Sequence, residues 1–153
     1  MTRTFAAALL VSATALTGCS SSPTATPAYD TPVLQVTGAY IRQPVTDDMA
    51  AGYFTVTNTG RQPDKLTGVT SDAATSVTMH RTTAENQMEP VQAFSIPAGG
   101  SLVLRTGGDH LMLMGFKKKP TVGETITLRL RFASSDSITV RAPVEPTTYQ
   151  PSN

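Results

Sequence analysis

From Val33 onward, apolar and polar residues alternate along the chain, and no segment shows the spacing of an amphipathic helix. Residues 125–132, with the sequence TITLRLRF, are the clearest case. A period of two places successive side chains on opposite faces of a strand. The apolar face here consists of Ile126, Leu128, Leu130 and Phe132, whereas Arg129 and Arg131 point to solvent. The pattern predicts a strand with one buried face.

Similar short segments recur down the chain and are separated by turn signals such as Asn58-Thr59-Gly60 and Pro97-Ala98-Gly99-Gly100. We expect strands at residues 33–41, 52–58, 65–69, 76–81, 101–105, 110–116, 125–132 and 137–141, and one or two short strands within 90–96. The best helix candidate, residues 48–52, is short. Many short strands joined by turns favour an all-β fold, either an antiparallel sandwich or a barrel.

The first eighteen residues, MTRTFAAALLVSATALTG, read as a signal peptide with a basic start at Arg3 and an apolar stretch too short to span a membrane. The sequence Leu16-Thr17-Gly18-Cys19 resembles a bacterial lipobox, in which cleavage precedes a cysteine that carries lipid. We therefore expect a lipoprotein signal peptide at 1–18 and lipidation of Cys19. A plain secretory signal followed by an incidental cysteine is the alternative.

Cys19 is the only cysteine, so no disulfide can form within one chain. Residues 19–32 are rich in Ser, Thr, Pro and Ala, and we interpret them as the lipidated cysteine and a flexible tether. Residues 143–153, which are rich in proline, are expected to form a disordered tail. These features predict an extracytoplasmic protein attached by lipid to a membrane, with its folded domain at 33–142.

The net charge of the chain gives no electrostatic surface for nucleic acid. The formal charge is +1, and removal of Arg3 with the signal peptide would leave eleven basic and eleven acidic residues. Residues 117–119, three lysines, are either a solvated loop or a docking patch for an acidic partner. There is no Ser/His/Asp arrangement, phosphate loop or evident carboxylate pair, so we do not expect an enzyme.

Residues 79–116 contain both histidines of the chain and four of its six methionines. His110 and Met112 occupy alternate positions and share one face of their strand, whereas Leu111 and Leu113 face the core. Met88 lies in a polar hairpin and Met79 is expected to face the core, which leaves His80 for the site. Imidazole and thioether without thiolate favour Cu(I), and the lack of a further cysteine excludes a blue-copper centre. We predict one Cu(I) site formed by His80, Met88, His110 and Met112.

This region resembles the PCuAC family of periplasmic copper chaperones. The family motif is a histidine, a methionine some ten residues on, twenty-one residues, and then His-x-Met. Here twenty-one residues separate Met88 from His110-Leu111-Met112. The segments IPAGG (96–100) and GGDHLMLMG (107–115) are similar to family segments, as are residues 39–42, 51–60 and 64–66. Only seven residues separate His80 from Met88, so Met114 remains an alternative fourth ligand.

The resemblance implies a cupredoxin-like or Ig-like Greek-key β-sandwich that binds one Cu(I) per chain. It further implies delivery of copper toward the CuA centre of cytochrome c oxidase, with subunit II of that oxidase and a Sco-type protein as partners. Copper sequestration for tolerance uses the same residues and stays open as an alternative. The third hypothesis is a structural lipoprotein with a vestigial metal site.

Overall fold

The computed structural model describes residues 30–46 and 48–151, and the predicted signal peptide, Cys19 and most of the predicted tether lie outside this part. Within the described residues all regular secondary structure is β, and no helix is long and apolar enough to cross a membrane. The strands are β1 (Leu34–Arg42), β2 (Met49–Asn58), β3 (Asp64–Ser71), β4 (Ala74–Thr82), β5 (Met88–Pro90), β6 (Phe94–Ile96), β7 (Ser101–Val103), β8 (His110–Phe116), β9 (Thr125–Phe132) and β10 (Ile138–Glu145).

The strands form two sheets that pack as a sandwich. The first sheet runs β5-β4-β8-β2-β1, with β7 paired to β2, and the second runs β10-β9-β3-β6. A short parallel contact between β1 and β10, at Ile41–Val144 and Arg42–Glu145, joins the two sheets, whereas the other pairings are antiparallel. The predicted all-β class is confirmed.

The core lies between the two sheets. It consists of every second residue along the strands, those whose side chains point inward. The apolar face of β9 is buried and Arg129 and Arg131 are exposed, as the alternation predicts. Leu111 and Leu113 of β8 are fully buried, and Met79 of β4 packs with them in the same core. Burial of these side chains fixes which face of β4 and β8 points outward.

The predicted helix at 48–52 is wrong, because β2 begins at Met49. Ala50 pairs with Leu113 and Ala51 with Met112 on β8. The alternation of outward Met49 and inward, buried Ala50 continues the pattern of the rest of β2. Pairing with β8 therefore outweighs the weak helical preference of a few residues.

The predicted disordered tail is wrong for its first residues, because β10 continues to Glu145. Val144 is buried in the core, which is the physical reason that the strand extends. Further on, the ring of Tyr149 lies 5.0 Å from that of Tyr40, and the Nη2 of Arg42 donates to the Tyr149 carbonyl at 3.0 Å. The lysines at 117–119 follow β8 as an exposed segment, in agreement with a solvated loop.

Asp64 joins the start of β3 to the turn after β9 and is only 4% exposed. Its carboxylate accepts hydrogen bonds from the amides of Lys65, Ser134 and Ser135 at 2.7, 2.9 and 3.0 Å, and from the Ser135 hydroxyl at 2.6 Å. Burial by itself would raise the pKa of Asp64, but these hydrogen bonds outweigh it and hold the pKa below its usual value.

We expect Asp64→Asn to lower the free energy of unfolding by about 1–3 kcal/mol at pH 7, because an amide cannot replace all the accepted bonds. The folded-state pKa is the lower one, so the ionised carboxylate stabilises the fold above the unfolded-state value of about 3.9. This contribution disappears as the pH falls through the folded-state pKa. Urea unfolding at pH 7 and pH 3 measures both effects.

Asp136→Asn is the matched control, because Asp136 is exposed on the same turn. We expect it to change the free energy of unfolding by less than about 0.5 kcal/mol. Equal losses in the two variants would contradict a specific role of the Asp64 carboxylate.

Candidate metal centre

The two histidines are direct cross-strand partners on β4 and β8. The centroids of the His80 and His110 rings are 5.8 Å apart, and the ring planes differ by 27°, so the imidazoles are stacked. Their neighbours Met79 and Leu111 also pair and point into the core. The imidazoles therefore lie together on the outer face of the first sheet.

His110 is held by the turn that precedes β8. Its Nδ1 lies 2.9 Å from the carbonyl oxygen of Gly108, which also accepts from the amide of Thr82 at 3.3 Å. Because a carbonyl only accepts, Nδ1 must carry the hydrogen, and Nε2 keeps a free lone pair. Histidines that bind metals are commonly oriented in this way by a backbone carbonyl.

His80 has one ring nitrogen bonded and the other without a partner. Its Nε2 lies 3.0 Å from the hydroxyl oxygen of Thr78, whereas Nδ1 is buried and has no hydrogen-bond partner among the described residues. A buried N–H without an acceptor is costly, which favours the hydrogen on Nε2, donated to Thr78, and leaves the Nδ1 lone pair free.

Burial, and secondarily the charge that His110 can carry, lower the pKa of His80 below its ordinary value. The neutral ring is therefore favoured near pH 7, which is the form that coordinates a metal ion. Each neutral ring of the pair thus has one nitrogen whose lone pair no hydrogen bond among the described residues occupies.

Met112 lies on the face that carries the imidazoles, two residues after His110. It is half-buried and pairs with Thr78 on β4 and Ala51 on β2. Met88 lies on the other side of the imidazole pair, as the first residue of β5 opposite Thr82. Pro90 is opposite His80, so Met88 is a diagonal neighbour of His80, a spacing of about 7–8 Å in sheets.

The shortened hairpin between His80 and Met88 closes tightly. The Thr83 amide donates to the Gln87 carbonyl at 2.8 Å, and Asn86 adopts a φ of 58° within this turn. Met88 therefore belongs to a strand rather than to a free loop, although its side chain is 61% exposed.

The structure brings His80, His110 and Met112 to one face and places Met88 on the flanking strand. Met114 shares the face but lies two residues beyond Met112, opposite Ser76, and so further from the imidazoles. Among the described residues no group of three or more His, Cys, Asp or Glu side chains could hold a metal. The candidate centre differs from such sites because it depends on thioethers, and its ligand set remains a prediction.

Sequence reasoning missed the groups that orient the imidazoles. Thr78 could have been found, because it lies two residues from His80 and so on the same face of β4. The Gly108 carbonyl could not have been found, because every residue has a backbone carbonyl and residue type does not single this one out. Next to the imidazole pair, Arg81 and Asp109 form an ion pair with Nε–Oδ1 and Nη2–Oδ2 distances of 2.7 and 3.2 Å, which ties the end of β4 to the turn before β8.

The described domain is a β-sandwich with paired imidazoles and thioether side chains on one outer face. Residues 34–144 match the family described as "Putative lipoprotein LpqE-like", and the chain belongs to this family. It is 36% identical over 137 residues to "Putative lipoprotein Lxx21020" of Leifsonia xyli subsp. xyli, which covers 85% of this chain and 82% of that protein.

Solved structures of PCuAC domains are also similar. The copper-bound PCuAC domain from PmoF2 is 26% identical, with a TM-score of 0.65, and covers 74% of this chain and 92% of that domain. The solution structure of CuI-DR1885 from Deinococcus radiodurans is 36% identical, with a TM-score of 0.61, and covers 78% and 80% of the two chains. Apo-DR1885 is 33% identical, with a TM-score of 0.59, and covers 97% and 98%.

These similarities confirm the resemblance to the PCuAC family that the sequence indicated. They also confirm the cupredoxin-like or Ig-like β-sandwich as the fold. The expectation that the chain is not an enzyme agrees with these relatives, which are a lipoprotein family and PCuAC domains.

Proposed function

We propose that the protein is an extracytoplasmic, membrane-tethered Cu(I) chaperone that carries one copper ion bound by His80, Met88, His110 and Met112. The stacked imidazole pair on the outer face of the first sheet is the observation that carries this proposal. Two of the similar solved structures are themselves described as copper-bound or CuI forms.

The donor set suits monovalent copper as cargo. Thioethers and neutral imidazoles are soft or intermediate ligands, and with no thiolate present they favour Cu(I). The Nδ1 of His80 has no hydrogen-bond partner among the described residues, and the bond made by the Nδ1 of His110 leaves the Nε2 lone pair of that ring for coordination. Thioether carries no proton, so only the two histidines make binding depend on pH. The ligands keep copper in one oxidation state, which suits transport rather than electron transfer.

The exposed flank of the site suits transfer to another protein. His80 and Met112 are only half-buried, and Met88 is largely exposed on a strand of three residues. An incoming ligand could therefore replace Met88 while the more buried His110 still holds the ion. We propose the CuA centre in subunit II of cytochrome c oxidase as the destination, with a Sco-type protein as a further partner, on the basis of the PCuAC resemblance.

We expect the wild-type chain to bind one Cu(I) tightly under reducing conditions. His110→Ala and Met112→Leu should each weaken binding by at least about tenfold, since even the loss of an outer-sphere partner commonly costs that much. Competition with a chromogenic Cu(I) chelator measures the affinity. Met88→Leu and Met114→Leu, compared side by side, identify the fourth ligand, and the register predicts that Met88→Leu has the larger effect.

Met79→Leu is the matched control, because it removes a thioether that faces the core and not the site. We expect its copper affinity to equal that of the wild type. Unchanged affinity in both His110→Ala and Met112→Leu would rule out the proposed centre and leave the reading of a structural lipoprotein with a vestigial site.

Delivery and sequestration differ in the fate of the bound ion. We expect the copper-loaded protein to transfer Cu(I) to the apo form of the oxidase subunit II domain, either directly or through a Sco-type protein. Separation of the two proteins after mixing, followed by metal analysis, measures the transfer. Copper that stays with the loaded protein in both arrangements would contradict delivery and favour sequestration for tolerance.

The lipid anchor is proposed from the Leu16-Thr17-Gly18-Cys19 sequence and is supported by membership of a lipoprotein family. We expect the wild-type protein to incorporate labelled palmitate and to sediment with membranes. Cys19→Ser should abolish both, because the acyl chains contribute about 0.8 kcal/mol per buried methylene to membrane binding. Sedimentation that is unaffected by Cys19→Ser would contradict lipidation at this residue.

A further inference from the structure

Three methionines form a triangle on the outer face of the first sheet, beside the imidazole pair. Met49 of β2 is the direct cross-strand partner of Met114 on β8, and Ala51 is the partner of Met112. These four residues are the corners of one cross-strand quadrilateral, so three corners carry thioethers and the fourth carries only a methyl group. The sequence predicted Met112 as a ligand and left Met114 as an alternative to Met88, but it gave Met49 no role.

The packing of the sheet leaves this triangle open to solvent. Met49 and Met114 are 42% and 37% exposed as residues, although methionine normally fills gaps in a core. On the β4 side, the partners of Met114 and Met112 are the small polar residues Ser76 and Thr78. No bulky side chain among these register partners separates the three thioethers from one another.

The register brings the thioethers within reach of one ion. The Gly115 amide donates to the Asp48 carbonyl at 3.1 Å, one step beyond the Met49–Met114 pair. In a regular antiparallel ladder this makes Met49 and Met114 a non-hydrogen-bonded pair, the kind in which side chains are closer. Directly opposite Cβ atoms are about 4.5–5.5 Å apart, and the long, unbranched methionine side chain can turn its sulfur toward a common point.

We propose that Met49, Met112 and Met114 form a second, weaker site for Cu(I). Three neutral thioethers select a soft monovalent cation and need no deprotonation to bind it. The site lacks an imidazole and is exposed, so it binds more weakly than the histidine centre. Because Met112 belongs to both ligand sets, the outer site is complete only while the histidine centre is empty or is releasing its ion. It is therefore a staging position on the path of the cargo and not a second store.

The test isolates the outer site by removing the histidines. The full chain with His80→Ala and His110→Ala also carries Cys19→Ser, so that no free thiol competes, and is titrated with Ag(I), a redox-stable soft monovalent probe. We expect one equivalent of weak binding, seen by calorimetry. NMR should show shifts of the ε-methyl groups of Met49, Met112 and Met114, whereas the core methyl of Met79 should stay unchanged.

Adding Met49→Leu and Met114→Leu to that chain should weaken the residual Ag(I) binding by at least tenfold, because leucine keeps the volume but supplies no donor. If the histidine-free chain binds no Ag(I), or if the two leucines leave its affinity unchanged, the outer site is overturned and the exposed methionines serve only as an apolar contact surface. This result is separate from a failure of the histidine centre, which equal Cu(I) affinities with and without His80 and His110 would reveal.

Discussion

The pairing of β4 with β8 is the contact on which both the core and the candidate centre depend. In this ladder Met79 lies opposite Leu111 and Val77 opposite Leu113 on the inner face, while His80 lies opposite His110 on the outer face. Because side chains alternate with a period of two, a slip of one residue would exchange the two faces. The burial of the apolar pairs thus stabilises the fold and, in the same step, brings the two imidazoles together.

Because the same ladder pairs the core residues and the two histidines, residues distant in sequence come together on the outer face without further structural elements to hold them. Burying a leucine or methionine side chain stabilises the fold by about 1.5–3 kcal/mol, so the inward apolar pairs favour one register strongly. The core therefore sets the register, and the register decides which side chains share the outer face. The Gly108 carbonyl and the Thr78 hydroxyl then decide which ring nitrogens remain free. The hydrophobic effect positions the strands, and the hydrogen bonds to Gly108 and Thr78 orient the two imidazoles.

Periodicity in the sequence was enough to predict those parts of the fold in which one strand face is buried. The bounds of β8 and β9 are confirmed as predicted, and so is the division of β8 into leucines that face inward and a His-x-Met row that faces outward. The helix at 48–52 and the disordered start of the tail were wrong because their pairing partners, on β8 and β1 respectively, lie far away along the chain. Short segments of this kind take their structure from neighbours that local propensity does not report.

The residue types of the candidate centre could be predicted from the sequence, but the arrangement of those residues in space could not. The resemblance and the spacing of His110 and Met112 pointed to the imidazoles and thioethers. The direct opposition of His80 and His110 required the strand order, which places β8 between β4 and β2. The same order brings Met49 beside Met114, a neighbour that lies sixty-five positions away in the chain and that alternation alone could not assign.

The position of the candidate centre on the sheet gives its predicted ligands unequal support from their neighbours. His110 is buried and bonded to the backbone in the middle of the sheet, whereas Met88 is exposed on a flanking strand of three residues. Strands at the edge have fewer neighbours to hold them and open more easily than central ones. A cation bound across this gradient would be held firmly from one side and loosely from the other. In the proposed centre, Met88 is therefore the ligand that its surroundings hold least firmly, and His110 is the one that they hold most firmly.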